Sequence, residues 1–344
     1  MISFLEQEIH SQPAVIARLL EQETARIDQI VAQLPPFDYV LMAARGTSDH
    51  AATYAKYVWP ALAGYPVALA APSLHTLYHT PPRLNGALVV GVSQSGQSPD
   101  IVAVLAEGRR QGRPTLAITN DGGSPLATAA DHVIELYAGP ERSVAATKTY
   151  TAQLTAMAML GSAWRQETER QAELQRLPET LAAVLERAGD IAPRVERYRY
   201  MQGCVVIGRG YNYATALELS LKLKELTYIT TTAYSSADFR HGPIATISAG
   251  LPVILIMPRG ATFDDMHHLA QDLVQRGAEL LIISDEPSVY PMATTVLPQV
   301  SGLPEWLSPI PAIVPGQLLA LHLAQIKGFD PDRPRGLQKV THTL

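Results

Sequence analysis

At 344 residues the chain is longer than a single hydrophobic core usually grows, which points to two domains. With 47% hydrophobic and only 17% charged residues it is no disordered chain. A net charge of -5 without clustered Lys and Arg excludes a nucleic-acid binder, so a small ligand is expected.

The N-terminus lacks the basic stretch and apolar core of a signal peptide, and no uninterrupted apolar run approaches the ~20 residues of a membrane span. A cytoplasmic protein without membrane contact is expected. Residues from about Ser3 to Leu34 read as amphipathic helix, stopped by Pro35-Pro36, and should pack on the first domain. Short apolar runs then alternate with helical stretches: Tyr39 to Ala43, Leu88 to Val92, Thr115 to Thr119 and His132 to Leu136. This alternation predicts an α/β fold built of βαβ units around a parallel sheet. A helix from about Thr149 to Trp164 follows, then a charged helical connector from Arg165 to Arg197. Strand patterns resume at Cys204 to Ile207, Val253 to Met257, Leu280 to Ile283 and Thr295 to Leu297. Cys204, the one cysteine, sits in an apolar run and reads as a buried thiol. Ala44-Arg45-Gly46 and Gly208-Arg209-Gly210 each end a strand in Arg-Gly before a helix, which suggests an internal duplication. A last helix, about Pro315 to Lys327, leads into a Pro-rich polar tail.

The segment Ser93-Gln94-Ser95-Gly96-Gln97-Ser98 turns from a buried strand into a helix beginning near Pro99. Such a loop offers converging backbone N–H groups, a helix dipole and three hydroxyls to an anion. A Ser-rich turn with a simple N-cap is the plainer reading. Arg45-Gly46-Thr47-Ser48 repeats the arrangement after the first strand and favours a phosphate. No Gly-Lys-Ser/Thr motif is present, and Gly208-Arg209-Gly210 lacks a third glycine at Tyr213, so nucleotide readings fail.

Between Tyr213 and Tyr228, Glu218, Lys222 and Glu225 share one helical stripe. Leucines on both sides leave little room for a solvated face, so a pocket is expected rather than a surface ion pair. His241, in Arg240-His241-Gly242-Pro243, and Lys339, near the C-terminus, taken alone read as structural and as a solvated charge. His75 with His79, and Asp265 with His267 and His268, lack a convincing further ligand, so neither metal nor cofactor is expected.

Gly46-Thr47-Ser48, Ser93-Gln94-Ser95-Gly96 and the duplicated layout resemble the sugar isomerase (SIS) family, in particular the isomerase half of the glucosamine-6-phosphate synthases. The resemblance runs from Glu8-Ile9 to the tail. It implies two tandem SIS domains, each a three-layer α/β/α sandwich. Residues 1–168 would hold the N-terminal helices and first domain, 169–320 the connector and second domain, and 321–344 a tail over the active site. Gly46, Thr47, Ser48, Ser93, Gln94, Ser95 and Ser98 would bind the sugar phosphate, with Glu141 at an acidic position of the site. Ala146 stands where the synthases usually have Ser. Leu221-Lys222-Leu223-Lys224-Glu225 is similar to their catalytic helix: Glu225 would shuttle the C2 proton to C1 while Lys222 stabilises developing negative charge. By the same resemblance His241 opens the sugar ring from a neighbouring subunit of a homodimer, and Lys339 contacts the open-chain carbonyl. The synthases add a glutaminase domain with a cysteine nucleophile. Its absence from this sequence leads to the expectation of a glucosamine-6-phosphate deaminase. The alternatives are an enzyme for another amino sugar phosphate, such as a fructosamine phosphate, and a non-catalytic sugar-phosphate sensor.

Overall fold

Ten parallel strands form two five-stranded sheets in the computed structural model, which describes residues 2–165, 167–300 and 302–339. Helices α1 (Phe4–His10) and α2 (Gln12–Gln33) precede β1 (Tyr39–Ala43). The first repeat continues through α3 (Thr47–Ala63), β2 (Val67–Leu69), α4 (Ser73–Thr76), β3 (Ala87–Ser93), α5 (Pro99–Arg110), β4 (Thr115–Thr119), α6 (Pro125–Ala129), β5 (His132–Glu135) and α7 (Lys148–Ala163). Helices α8 (Thr168–Gln175), α9 (Leu177–Arg187) and α10 (Ile191–Val195) make the connector. The second repeat comprises β6 (Gly203–Gly208), α11 (Tyr213–Thr227), β7 (Thr230–Ser235), α12 (Ser236–Arg240), β8 (Pro252–Ile256), α13 (Phe263–Gln275), β9 (Glu279–Ser284), β10 (Thr295–Pro298) and α14 (Pro309–Ile326).

The first sheet has the order β2-β1-β3-β4-β5; the second, read from its far edge, is β7-β6-β8-β9-β10. Each repeat therefore places its strands in the order 2-1-3-4-5, and the duplication suggested by two Arg-Gly strand ends extends to every strand. In the first sheet every residue of the central β3 is buried, because helices cover both faces of a parallel sheet. Leu41, Val89 and Ala117 meet Ile101, Val104, Leu105 and Leu126 on one face. Val205, Ile207, Val253 and Leu255 meet Met266, Leu269 and Leu273 on the corresponding face of the second sheet.

Contacts divide the chain into two compact units that do not follow the sequence-based limits. The first-repeat unit holds residues 14–141, 148–175 and, from the tail, Gln338 and Lys339. The second-repeat unit holds residues up to Pro13, the segment 142–147 and residues 176–337. Both N-terminal helices were expected on the first domain; α1 instead belongs to the second-repeat unit. There the Asp332 carboxylate accepts the backbone N–H groups of Phe4 and Leu5, each at 2.9 Å, which serves the orphan donors of the first turn. Helix α14 also begins earlier than expected, at Pro309 rather than about Pro315. Prolines in the first turn cost no hydrogen bond, and Pro315 lies within the helix. With the preceding turn this segment, Glu305–Ile326, contains an 18-residue window of mean hydropathy 1.4 and is long and apolar enough to cross a membrane. The sequence reading passed over it; 94% of its most apolar window is buried in the protein.

Candidate active site

In the first-repeat unit the loops after β1, β3, β4 and β5 share the carboxyl edge of a parallel sheet, where open α/β folds bind ligands. Ser93 ends β3 buried, and its Oγ accepts the Gly96 N–H at 3.1 Å; the Ser95 Oγ accepts the Gln97 N–H at 3.3 Å. Gln94 and Ser95 are half-buried, and the Gln94 carbonyl accepts the Asn120 N–H at 3.1 Å. Gly96 has φ 63°, and a Cβ there would lie 2.1 Å from the Ser124 Oγ, so only glycine makes this turn. Ser98 occupies the N-cap of α5, yet its hydroxyl makes no capping hydrogen bond. This weakens the plain N-cap reading and leaves the hydroxyl for a ligand.

Gly46, with φ 53°, precedes α3, and the half-buried Thr47 begins it. Ser48 is buried and accepts a hydrogen bond from the Gln153 amide at 3.0 Å, so its hydroxyl already engages α7. A contact that the sequence did not reveal joins the two loops: the Arg45 Nε donates at 2.7 Å to the fully buried Asp100 carboxylate in the first turn of α5. Glu141 is buried near the start of α7. It accepts from the Thr149 backbone at 3.2 Å, from the Thr149 hydroxyl at 2.8 Å and from the Lys339 ammonium at 2.7 Å. Lys339 thus joins the first-repeat unit through a partly buried ion pair; Val340 to Leu344 lie outside the described residues. The same unit buries Glu23 of α2, which accepts the Glu135 N–H at 3.2 Å and pairs with Arg26 at 3.4 Å. Burial pushes its carboxyl up to about 7, with Arg26 opposing.

In the second-repeat unit, α11 brings Glu218, Lys222 and Glu225 together. The Lys222 Nζ stands 2.5 Å from Glu225 and 3.4 Å from Glu218. Glu218 and Lys222 are buried, whereas the Glu225 side chain keeps 21% exposure. Leu219, Leu223 and Leu226 are buried beside them, so the stripe is desolvated rather than a surface pair. One ammonium between two carboxylates keeps a single negative charge affordable in this setting. Half-buried Ala146 lies in the 142–147 segment, whose Ser143 N–H donates to the Glu8 carboxylate at 3.3 Å.

His241 follows α12 and is exposed. Glu225 lies on α11 before β7 and His241 follows α12 after it, and among the described residues no hydrogen bond or ion pair joins the two. Cys204 is buried in β6, and desolvation pushes its thiol up to about 12, which removes it as a nucleophile.

The sequence pattern of the SIS domain matches residues 38–163 and 203–293. The chain belongs to the SIS domain family. Glutamine–fructose-6-phosphate aminotransferase (isomerizing) of Thermococcus kodakarensis is 34% identical over 346 residues, covering 98% of this chain and 57% of that protein. The chain thus spans little more than half the length of the curated relatives it matches, and it is homologous to their isomerase domain. A candidate phosphosugar isomerase of Silicibacter pomeroyi DSS-3 superposes with TM-score 0.88 at 34% identity, covering 96% of this chain and 100% of that one. The C-terminal domain of the Francisella tularensis glucosamine-fructose-6-phosphate aminotransferase superposes with TM-score 0.87 at 26% identity, covering 97% and 99%.

Proposed function

We propose that the chain converts glucosamine 6-phosphate to fructose 6-phosphate and ammonia. The observation that carries this reading is the α11 cluster, in which a partly exposed carboxylate, Glu225, is held beside a buried ammonium. Thr47, Ser93, Gln94, Ser95 and Ser98 hold the phosphate, the Ser98 hydroxyl being unspent on capping. His241 opens the ring by giving a proton to the ring oxygen while the O1 hydroxyl loses one. Glu225 takes the proton from C2 of the open aldose, leaving an enolate whose O1 charge Lys222 offsets, and returns it to C1 while O1 takes a proton from the C2 amine. The product is the C2 imine of fructose 6-phosphate, and water replaces its nitrogen to release ammonia. Deamination is the reverse of the sugar chemistry named in the aminotransferase relatives.

The exposed His241, which has no hydrogen bond or ion pair to Glu225 among the described residues, supports a homodimer in which each copy supplies this histidine to the other. Ala146, without a hydroxyl, keeps a fructosamine phosphate or another hexosamine phosphate open as the second substrate to assay. Purified protein given glucosamine 6-phosphate should release ammonia and fructose 6-phosphate, and Glu225→Gln should lower kcat by about 10² to 10⁴ without lowering Tm. Absence of both products, with the variant indistinguishable from the parent, overturns the reading.

A further inference from the structure

The shared strand order allows the loop after the third strand of each repeat to be compared residue by residue. Ser93-Gln94-Ser95-Gly96-Gln97-Ser98 precedes α5, and Met257-Pro258-Arg259-Gly260-Ala261-Thr262 precedes α13. Both place a positive-φ glycine fourth, Gly96 at 63° and Gly260 at 148°, and both end in a hydroxyl residue at the N-cap, Ser98 and Thr262. The occupants differ. In the second repeat a carboxylate of the chain itself enters the loop: Glu305 accepts the Ala261 N–H at 2.7 Å and the Thr262 N–H at 3.4 Å. It also accepts the Thr262 hydroxyl at 2.9 Å. A Cβ at Gly260 would stand 2.2 Å from the Glu305 carboxyl carbon, so the glycine makes room for that group. Arg259 is engaged elsewhere, 2.6 Å from Glu286, which leaves backbone, hydroxyl and the dipole of the 13-residue α13 to hold the charge.

The first repeat contrasts with this. Among the described residues no carboxylate accepts a hydrogen bond from the backbone of Ser93 to Ser98; the Gly96 and Gln97 N–H groups donate to the loop's own serines. Backbone N–H groups and an N-cap hydroxyl converging on one carboxylate form the donor set with which a helix N-terminus takes a phosphate oxygen.

We infer that the second repeat retains an anion site of the phosphate class whose resident anion is the Glu305 carboxylate. Glu305 closes this site from within, so the duplicated cradle of each chain is open to a phosphate once. The comparison rests on the phosphate reading of the first loop, but the test reads the second loop directly and needs no turnover. Equilibrium dialysis of the full chain against radiolabelled inorganic phosphate compares the parent with Glu305→Ala. The alanine variant should bind one more phosphate per chain than the parent, and Glu305→Gln, which keeps an acceptor oxygen in place, should bind the additional phosphate at least tenfold more weakly. Equal phosphate stoichiometry in the parent and a folded Glu305→Ala overturns the inference. Should Glu305→Ala not fold in phosphate-free buffer, recovery of its melting transition by inorganic phosphate, but not by chloride at equal ionic strength, supports the site. No recovery overturns it.

Discussion

Glu23 carries the clearest pH dependence in the fold. Its carboxyl sits between α2 and the end of β5, holds its proton to about pH 7, and would release it near 4.5 in the unfolded chain. Between those values the unfolded state binds fewer protons than the folded one, so stability falls as pH rises through that window. The Glu23→Gln variant should lose this slope and gain, after allowance for screening, on the order of 2 kcal/mol at pH 8 relative to the parent. Urea titrations at pH 5 and pH 8 check both parts. Nothing in the sequence marks Glu23, because its burial depends on β5, 112 residues further along the chain. The Arg45 and Asp100 pair was hidden for the same reason, its partners being 55 residues apart. Glu218, Lys222 and Glu225 were legible because helical periodicity alone puts them on one stripe, and the flanking leucines announce its burial.

Among the elements, eight of the ten strands follow apolar runs visible in the sequence, and the two that escaped, β2 and β7, occupy the same edge of their respective sheets. An edge strand needs no continuous apolar run. β2 is three residues with one buried, and β7 alternates exposed and buried positions through Thr230, Thr231 and Thr232, where β-branched threonines were the available signal. The turn from β3 into α5 was legible in the sequence, whereas Glu305 in its counterpart was not, since it arrives 44 residues after the backbone it caps. In the tail, Lys339 reaches back 198 residues to pair with Glu141. Two Thr149 groups also donate to Glu141, so the lysine is not the sole donor to its carboxylate. Under the proposed function, Glu141→Gln and Lys339→Met should each lower kcat/KM by about tenfold or more, with the double variant losing less than the product of the two. Additive losses would separate Glu141 from the action of the tail.

At the scale of the whole molecule, the proposed exchange of His241 between copies makes a prediction that no single-chain mechanism shares. Glu225→Gln and His241→Asn homodimers should each be nearly inactive. Co-expression should restore about one quarter of parental activity, because a randomly mixed dimer population assembles one intact site in every four. Activity no greater than that of the separate variants would place the histidine elsewhere. The pairing of Asp332 with the N–H groups of Phe4 and Leu5 bears on a different stage in the life of the protein. Helix α1 is completed by a residue more than 320 positions later in the chain, and its packing partner α14 is also made long after it. While the first repeat folds, α1 must wait with Leu5 and Ile9 uncovered, a non-local closure that slows folding and invites association between nascent chains.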